Sequence, residues 1–159
     1  MARVAIALGS NLGDRRAHLR FAVEQLQRHV RDLMMAPVIE TAAVDVPSPQ
    51  PPYLNTVVVG DTDLSPEALL DELMGIEQQQ GRRRPAVLAP RTLDLDLILY
   101  GDAVRETTRL TVPHPRFRAR RFVLEPLAAL APDWRDPVTG RTVAELLSGL
   151  KPGAEFSSA

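Results

Sequence analysis

The sequence predicts an α+β protein in which helices pack on an antiparallel sheet. Strand-like and helix-like segments follow one another in the order βαββαβ and then continue with further elements. The length of 159 residues, with 45% hydrophobic and 25% charged residues, suits one globular domain with a substantial core. This order of elements is typical of a ferredoxin-like α/β sandwich with both main helices on one face of the sheet.

The first part of the chain predicts a strand, a helix and an extended segment. Residues 3–9, RVAIALG, form an apolar run typical of a buried strand, and GSNLGD supplies the turn after it. Apolar residues then recur at helical spacing from about Asp14 to Leu33. They are Leu19, Val23, Leu26, Val30 and Leu33. Residues 34–41 are expected to be extended, because the proline in MMAPVIET disfavours a helix.

The middle of the chain predicts a loop, a strand and a well-bounded helix. Four prolines within residues 47–52 indicate a stiff loop. Residues 53–60, YLNTVVVG, are rich in β-branched side chains and end at a glycine, which is typical of a strand. The helix that follows has Ser65 as its N-cap and Pro66 at its first position, and it is expected to end at Gly81.

The remaining elements complete a single predicted domain over residues 1–159. They are a loop over 82–90, a strand over 92–100, a turn at Gly101 and Asp102, a short strand near 103–106, and helices from about Arg118 to Leu130 and from Thr142 to Leu150. We expect a core over about residues 3–150 and a tail over 151–159 with no assigned role.

Two carboxylates interrupt the apolar strand RTLDLDLILYG. Side chains alternate across a strand, so Asp94 and Asp96 are expected on one face. Leu93, Leu95, Leu97 and Leu99 are expected on the other. Two carboxylates one repeat apart can hold Mg²⁺, which proteins usually bind through one or two carboxylates together with phosphate oxygens and water. An exposed polar face of a sheet would give the same Asp-X-Asp pattern, so the pattern alone does not decide between them.

Arginines cluster around these aspartates. The segment from Arg82 to Arg121 holds ten arginines and four carboxylates, a net +6 in a chain whose formal total is −1. Guanidinium groups grip phosphate oxygens in a bidentate fork. The sequence has no GxxxxGK[ST] loop, so side chains and metal ions must neutralise any bound polyphosphate. In the segment RLTVPHP, Arg109 and Thr111 alternate onto one face, and His114 follows.

Composition excludes some classes of protein and disfavours others. The chain has no cysteine, which excludes disulfides and thiol chemistry and agrees with a reducing cytosol. The apolar run at its start is too short for a signal peptide, and no stretch approaches the roughly 20 apolar residues of a membrane helix. We therefore expect a cytoplasmic protein. A ferredoxin-like RNA-binding module remains a rival, disfavoured because only 4% of the residues are aromatic.

Five segments together resemble the 6-hydroxymethyl-7,8-dihydropterin pyrophosphokinase family of the folate pathway. They are GSNLGDR, YLN, IEQQQGR, PRTLDLDLILYG and RLTVPHP with the R.F.L.PL pattern after it. Their order and spacing match the family from residue 4 to about 130. The resemblance implies the same α+β fold and transfer of diphosphate from ATP to the pterin hydroxymethyl group, with release of AMP. It implies small-molecule partners, no nucleic acid and no membrane, and we expect a monomer.

The resemblance also implies roles for individual residues. Asp94 and Asp96 resemble the ligands of two Mg²⁺ ions, and Arg82 and Arg91 resemble the arginines that stabilise charge on the transferring group. The implied ATP contacts are Glu77, Arg84, Ile98, Arg109, Thr111, His114 and Arg120. The implied pterin contacts are Thr41, Val44, Tyr53, Asn55 and Phe122.

Some positions depart from the family pattern. Leu88 stands where the family often has tryptophan, and the loop from Arg84 to Pro90 is one residue shorter. Ala42 and Ala43 replace common prolines, and Met74 replaces a polar contact with the nucleotide. These changes bear on loop closure and affinity. They leave open a second alternative, a family member that binds its ligands but has lost the activity.

Overall fold

The computed structural model describes residues 1–41, 52–80 and 93–150. Its strands are β1 (Ala2–Ser10), β2 (Arg31–Met35), β3 (Ile39–Thr41), β4 (Tyr53–Thr62), β5 (Asp94–Tyr100), β6 (Arg105–Glu106) and β7 (Thr111–Val112). Its helices are α1 (Arg15–Leu26), α2 (Pro66–Gln79), α3 (Arg121–Leu130) and α4 (Val143–Ser148), with a 3-10 turn at Phe117–Ala119. In these residues no helix is long and apolar enough to cross a membrane.

The main sheet has five strands in the order β2-β4-β1-β5, and β3 also pairs with β4. Its pairings are antiparallel. Strand β1 therefore lies in the centre, between β4 and β5, although β4 and β5 are joined by α2 in the sequence. Strands β6 and β7 form a separate two-stranded ladder. The βαββαβ order and the antiparallel sheet confirm the predicted α+β class.

Helices α1 and α2 cover one face of the sheet. The apolar residues of this core include Val4, Ile6 and Leu8 from β1, Leu95 and Leu97 from β5, Leu19 and Leu26 from α1, and Leu69 and Leu73 from α2. Local signals fix where the helices begin. The side chain of Asp14 accepts a hydrogen bond from the Ala17 amide, and that of Ser65 accepts one from the Ala68 amide. The predicted N-cap Ser65 and first residue Pro66 are confirmed.

Helices α3 and α4 cover the opposite face. This second core contains Ala5, Val57 and Val59 from the sheet, with Phe117, Val123, Leu124, Leu127, Trp134 and Val143 packed on them. The guanidinium carbon of Arg3 lies 4.5 Å from the centre of the Trp134 ring, which joins the connection after α3 to β1. Thr142 and Glu145 form a capping box at the start of α4.

The expected face of Leu99 was wrong. Ala5 pairs with Leu99 and Ile6 pairs with Leu97, so β5 has one extra residue, Ile98, opposite β1. This bulge reverses the alternation of side chains beyond it. Leu95 and Leu97 face α1 and α2 as expected, whereas Ile98 and Leu99 lie in the second core.

The predicted length of the first helix was also wrong. Helix α1 ends at Leu26, and the chain turns and enters β2 at Arg31. Val30 nevertheless belongs to the first core, and Leu33 packs against it from β2, so apolar spacing continued beyond the helix. The start of β2 passes close to Gly60 of β4, where an added Cβ atom would lie 2.7 Å from the Arg31 carbonyl oxygen. Only glycine leaves room for it.

Candidate active site

Asp94 and Asp96 lie on the face of the sheet that α3 and α4 cover. Asp94 pairs across the strands with Gly9, and Asp96 pairs with Ala7. Both aspartates are half-buried at the beginning of β5, before the bulge. Their α-carbons are separated by roughly 6.5–7 Å, as for alternate residues of any strand. The sequence prediction that the two carboxylates share one face therefore agrees with the strand register.

Gly9 lies between Asp94 and Asn55. It pairs with Asp94 of β5 on one side and with Asn55 of β4 on the other, which places the three residues in one row across the sheet. Adjacent strands are about 4.8 Å apart, so the backbones at Asn55 and Asp94 are about 10 Å apart. A Cβ atom at Gly9 would lie 3.1 Å from Asn55 Oδ1. Gly9 is itself buried, so a side chain there would crowd the region between a pterin candidate and a metal candidate.

The pterin candidates on β3 and β4 lie close together. Thr41 pairs with Tyr53, and Asn55 pairs with Ile39 on the same face. Asn55 donates a hydrogen bond of 2.7 Å from its Nδ2 atom to Thr41 Oγ1. In this orientation of the amide the NH₂ group is the donor, and Oδ1 lies on the side of Gly9. Asn55 is 8% exposed, so its amide is available only from within the site.

Arg120 brings a half-buried guanidinium to the two aspartates. Burial lowers the pKa of Arg120 below its ordinary value, while the charges of Asp96 and Asp94 oppose that shift. Its Cζ atom lies 5.5 Å from the centre of the Phe122 ring, within range of a cation–π contact. Its Nε–H group is buried and has no hydrogen-bond partner in the part of the chain that the structure describes. Such a donor is suited to an oxygen of a bound ligand.

His114 is held beside Arg120 as a neutral ring. Its backbone amide donates to the Ile98 carbonyl, 2.9 Å away, and its Nδ1 atom accepts from the Arg116 amide at 3.1 Å. Burial lowers the pKa of His114 to about 4, and the charges of Arg120 and Arg116 contribute. Because Nδ1 accepts a hydrogen bond, the proton of the neutral ring lies on Nε2.

Two ATP candidates are buried against the strand that carries the aspartates. Glu77 of α2 is 4% exposed, and its Oε2 atom accepts a 2.8 Å hydrogen bond from the Leu95 amide. Leu95 lies between Asp94 and Asp96, so this bond attaches α2 to the site strand. The side chain of Ile98 is 1% exposed and lies in the second core. A direct ATP contact of either residue stays a prediction.

Thr111 lies on the short ladder of β6 and β7, and Arg109 lies in the bend that joins these two strands. Arg109 forms an ion pair with Asp71 of α2 at the surface, and Thr111 pairs with Glu106. The described contacts do not bring either residue to the Asp94 and Asp96 pair, and their ATP contacts stay predictions. Four further candidates lie outside the described residues. They are Val44, Arg82, Arg84 and Arg91.

The chain matches the family model of 7,8-dihydro-6-hydroxymethylpterin-pyrophosphokinase (HPPK) over residues 5–132. The match covers most of the sequence and includes both aspartates. The chain belongs to the HPPK family. This membership confirms the resemblance carried by the sequence motifs.

Relatives in bacteria share this membership. The 2-amino-4-hydroxy-6-hydroxymethyldihydropteridine pyrophosphokinase of Pseudomonas aeruginosa is 44% identical over 148 residues, which cover 92% of this chain and 90% of the relative. The protein of the same name from Synechocystis is 42% identical over 149 residues, covering 89% of this chain and 73% of the relative. The corresponding Methylorubrum extorquens protein is 38% identical over 160 residues and covers 96% of both chains.

Solved structures show the same fold. The wild-type HPPK-DHPS of Plasmodium falciparum aligns with 93% of this chain at a TM-score of 0.70 and 13% sequence identity. This chain spans 43% of that longer protein. At such low identity the likeness supports the fold of the HPPK chain, an antiparallel sheet with helices packed on it, and nothing finer.

The donor set of this HPPK chain fits a hard cation. Within residues 1–41, 52–80 and 93–150 there is no group of three or more histidine, aspartate or glutamate side chains that could enclose a metal ion. Asp94 and Asp96 supply two carboxylates on one face. Mg²⁺ suits such a pair, because it usually retains water and completes its coordination with substrate phosphates.

Sequence reasoning missed three contributors to the site. Gly9 separates Asn55 from Asp94, Arg116 contributes to the low pKa of His114, and Asp136 binds Arg118 next to Arg120. A signal existed for Gly9, since Ala5, Ala7 and Gly9 form a row of small residues at alternate positions of the first strand. The ion pair of Arg118 and Asp136 joins residues 18 positions apart and had no local signal.

Proposed function

We propose that this chain transfers diphosphate from ATP to the hydroxymethyl group of 6-hydroxymethyl-7,8-dihydropterin and releases AMP, a reaction of folate biosynthesis. Membership in the HPPK family and the names of relatives up to 44% identical support the activity. The single observation that carries the site assignment is the row Asn55, Gly9 and Asp94. It puts an amide suited to a pterin and a carboxylate suited to a metal on either side of Gly9, whose backbone forms a floor without a side chain.

The pterin binds at the β3 and β4 side of this floor in our proposal. Asn55 has its Nδ2 atom committed to Thr41, and its Oδ1 atom lies toward Gly9, where it can accept from an N–H group of the ring. Tyr53 borders the same space, and Phe122 supplies an aromatic surface. Val44 is assigned to this pocket by resemblance alone.

Asp94 and Asp96 hold the magnesium in our proposal, and we assign them two ions. Bound Mg²⁺ would offset the charge of the ATP phosphates and of the oxygens that attack and leave. The chain's own contribution is to hold two carboxylates in fixed positions on a paired strand. Leu95, between the two aspartates, anchors the strand, because its amide donates a hydrogen bond to Glu77 and its side chain is buried in the first core.

In our proposal, arginines and neighbouring side chains bind the phosphates and the adenosine portion of ATP. Arg120 offers a buried Nε–H donor with no partner among the described residues, and the neutral His114 offers an Nε2–H donor beside it. Arg82 and Arg91 are assigned to charge that builds up on the transferring group, and Arg84 to ATP binding, by resemblance. Glu77, Ile98, Arg109 and Thr111 complete the proposed ATP contacts.

The reaction needs positioning and charge neutralisation rather than a covalent enzyme intermediate. The pterin hydroxyl oxygen forms a bond to the β-phosphorus of ATP, and the bond from that phosphorus to the oxygen bridging to the α-phosphate breaks. AMP leaves with the bonding electron pair. The hydroxyl proton passes to a base, for which Asp96 is our candidate because it lies on the same face of the sheet as Asp94, opposite Ala7.

A coupled assay tests the proposal directly. The purified chain is incubated with ATP, Mg²⁺ and 6-hydroxymethyl-7,8-dihydropterin, and AMP formation is followed. We expect AMP only when the pterin is present, with one pterin diphosphate formed for each AMP. Tight binding of both substrates without AMP would instead identify an inactive family member. Binding to RNA without binding to the pterin would support the disfavoured alternative, an RNA-binding module.

We also propose that residues 1–159 act as one domain, as a monomer and in the cytoplasm. The two cores share the same central strand, β1, which supports a single folding unit for the described residues. Light scattering at several concentrations should give a constant mass near the 17.5 kDa of one chain. A mass twice as large would contradict the monomer.

A further inference from the structure

Asp136 forms an ion pair with Arg118, which lies two residues before the site candidate Arg120. Two parallel hydrogen bonds join them, from Arg118 Nε to Asp136 Oδ2 at 2.5 Å and from Arg118 Nη2 to Asp136 Oδ1 at 2.9 Å. The Asp136 side chain is 1% exposed and that of Arg118 is 28% exposed. Such a planar, two-point contact fixes both direction and distance.

Asp136 is itself held in a rigid turn. Its carboxylate also accepts hydrogen bonds from the Val138 amide at 3.0 Å and from Thr139 Oγ1 at 2.8 Å. Its backbone amide donates to the Arg141 carbonyl, and its carbonyl accepts from the Gly140 amide, both at 2.8 Å. The carboxylate is therefore a fixed anchor on the connection between α3 and α4.

Arg118 lies in the short turn that leads into Arg120. A series of backbone contacts links this turn to β5. The His114 amide donates to Ile98, and the Phe117 amide donates to His114. The Arg120 amide in turn donates to Phe117 at 3.2 Å. Phe117 is fully buried under this turn, and Arg118 lies over its ring at 4.9 Å. The position of Arg118 therefore bears directly on the positions of His114 and Arg120.

We propose that Asp136, acting through Arg118, is a positioning residue that holds the segment from His114 to Arg120 against β5. Its function is to direct the Arg120 guanidinium and the His114 ring toward a phosphate group bound over Asp94 and Asp96. This inference rests on the proposed function. It extends that function to a residue that touches neither substrate.

A purely stabilising role explains the pair less well. Replacing a buried ion pair with apolar residues of similar size is often neutral or stabilising, so such pairs contribute little net stability. The geometry of the pair matters more, since a two-point contact restricts a turn that otherwise depends on backbone hydrogen bonds of 3.1–3.4 Å. Loss of the contact should consequently affect the ATP end of the site more than the pterin end, which is built mainly on β3 and β4 and receives only Phe122 from the segment after Arg120.

The test compares Asp136→Asn and Arg118→Lys with a matched control, Thr142→Ala. Asn keeps the shape of Asp136 but loses the charge, and Lys keeps the charge of Arg118 but loses the parallel bonds. Thr142→Ala removes the capping box of α4 and destabilises the same region without touching Arg118. Thermal unfolding, turnover, and the dissociation constants of a non-hydrolysable ATP analogue with Mg²⁺ and of the pterin are measured for each.

We expect Asp136→Asn to weaken binding of the ATP analogue about tenfold, with a much smaller change in pterin affinity. Arg118→Lys should give a smaller loss of the same kind, and the control should lose thermal stability with both affinities retained. If Asp136→Asn does not fold, Arg118→Lys alone decides the question. Wild-type affinity for the ATP analogue in the folded variants, or equal loss of both ligands, would overturn the positioning role. Failure of the wild-type chain to bind the analogue or release AMP would instead overturn the proposed function.

Discussion

Asn55 and Asp94 lie on opposite sides of Gly9. Asn55 pairs with Gly9 on β4, and Asp94 pairs with it on β5. This arrangement follows from the position of β1 between β4 and β5, which are far apart in the sequence. It gives the site two chemically different sides, separated by a backbone position that has no side chain. The amide side suits a flat heterocycle, and the carboxylate side suits a metal-bound phosphate.

Replacing Gly9 with valine should block the floor of the site. Even a Cβ atom there would lie 3.1 Å from Asn55 Oδ1, and branched methyl groups would extend further into the space. We expect kcat/KM to fall about 100-fold, since small displacements of reacting groups have effects of that size. Steady-state kinetics with varied pterin measure this.

Gly75→Ala serves as the control for Gly9→Val. Gly75 lies within α2 and has open space around it, so alanine there should preserve activity. It should also stabilise the helix by about 1 kcal/mol, because alanine favours a helix more than glycine does. Wild-type kinetics in the Gly9→Val variant would show that the row does not border the substrates.

Replacing either aspartate with asparagine should abolish most activity while the fold is retained. Loss of one metal ligand is expected to lower turnover by about 100-fold or more, since a metal site contributes several kcal/mol of charge stabilisation. Turnover at saturating ATP and Mg²⁺ is compared between Asp94→Asn, Asp96→Asn and the control Asp102→Asn, an exposed carboxylate at the end of the strand. Near wild-type turnover in the first two variants would refute the metal assignment.

His114 should remain neutral well below neutral pH. Its pKa is lowered to about 4 by burial and by the charges of Arg120 and Arg116, so the ring gains its proton only in acid. Nitrogen-15 NMR titration of the ligand-free protein should give that pKa and place the neutral proton on Nε2. Arg120→Gln should raise the pKa toward the ordinary 6.5. A value near 6.5 in the unmodified protein would contradict the described surroundings of the ring.

The contribution of Asp136 to stability should disappear in acid. Burial alone would raise the pKa of Asp136, but hydrogen bonds from Arg118, Val138 and Thr139 outweigh it and lower the pKa below the ordinary 3.8. A carboxylate whose pKa is lower in the folded state stabilises the fold above its unfolded pKa, and that stability is lost as the pH falls through the folded pKa.

Urea unfolding of the wild type and of Asp136→Asn measures this contribution. We expect the wild type to be more stable by about 1–2 kcal/mol at pH 7, because Asp136→Asn removes the charge from two hydrogen bonds to the partly exposed Arg118. The difference should shrink below about pH 4. A difference that stays constant from pH 7 to pH 3 would exclude the ionised form of Asp136 as its source.

Local signals in the sequence were sufficient for much of the fold. Ser65 and Pro66 fixed the start of α2, because a cap and a proline act within one turn. The alternation in RTLDLDLILYG placed Asp94 and Asp96 on one face, since alternate residues of a strand always point the same way. The motifs around them were sufficient to identify the family.

Other features depended on contacts between distant segments. The end of α1 at Leu26 was not evident, because Val30 and Leu33 reach the same core from the turn and from β2. The bulge at Ile98, which turns Leu99 to the other face, arises from pairing with β1 and leaves no local pattern. Arg82, Arg84, Arg91 and Val44 lie outside the described residues, and their roles stay predictions.

The sequence by itself determined which chemical groups are available: two carboxylates on one strand face, arginines and a histidine nearby, and an amide on another strand. Only the tertiary structure decided how they meet. Gly9 separates Asn55 from Asp94, and Asp136 binds Arg118 next to the site. The physical reason is range: caps and alternation act over a few residues, whereas strand order and buried ion pairs arise only when the chain packs upon itself.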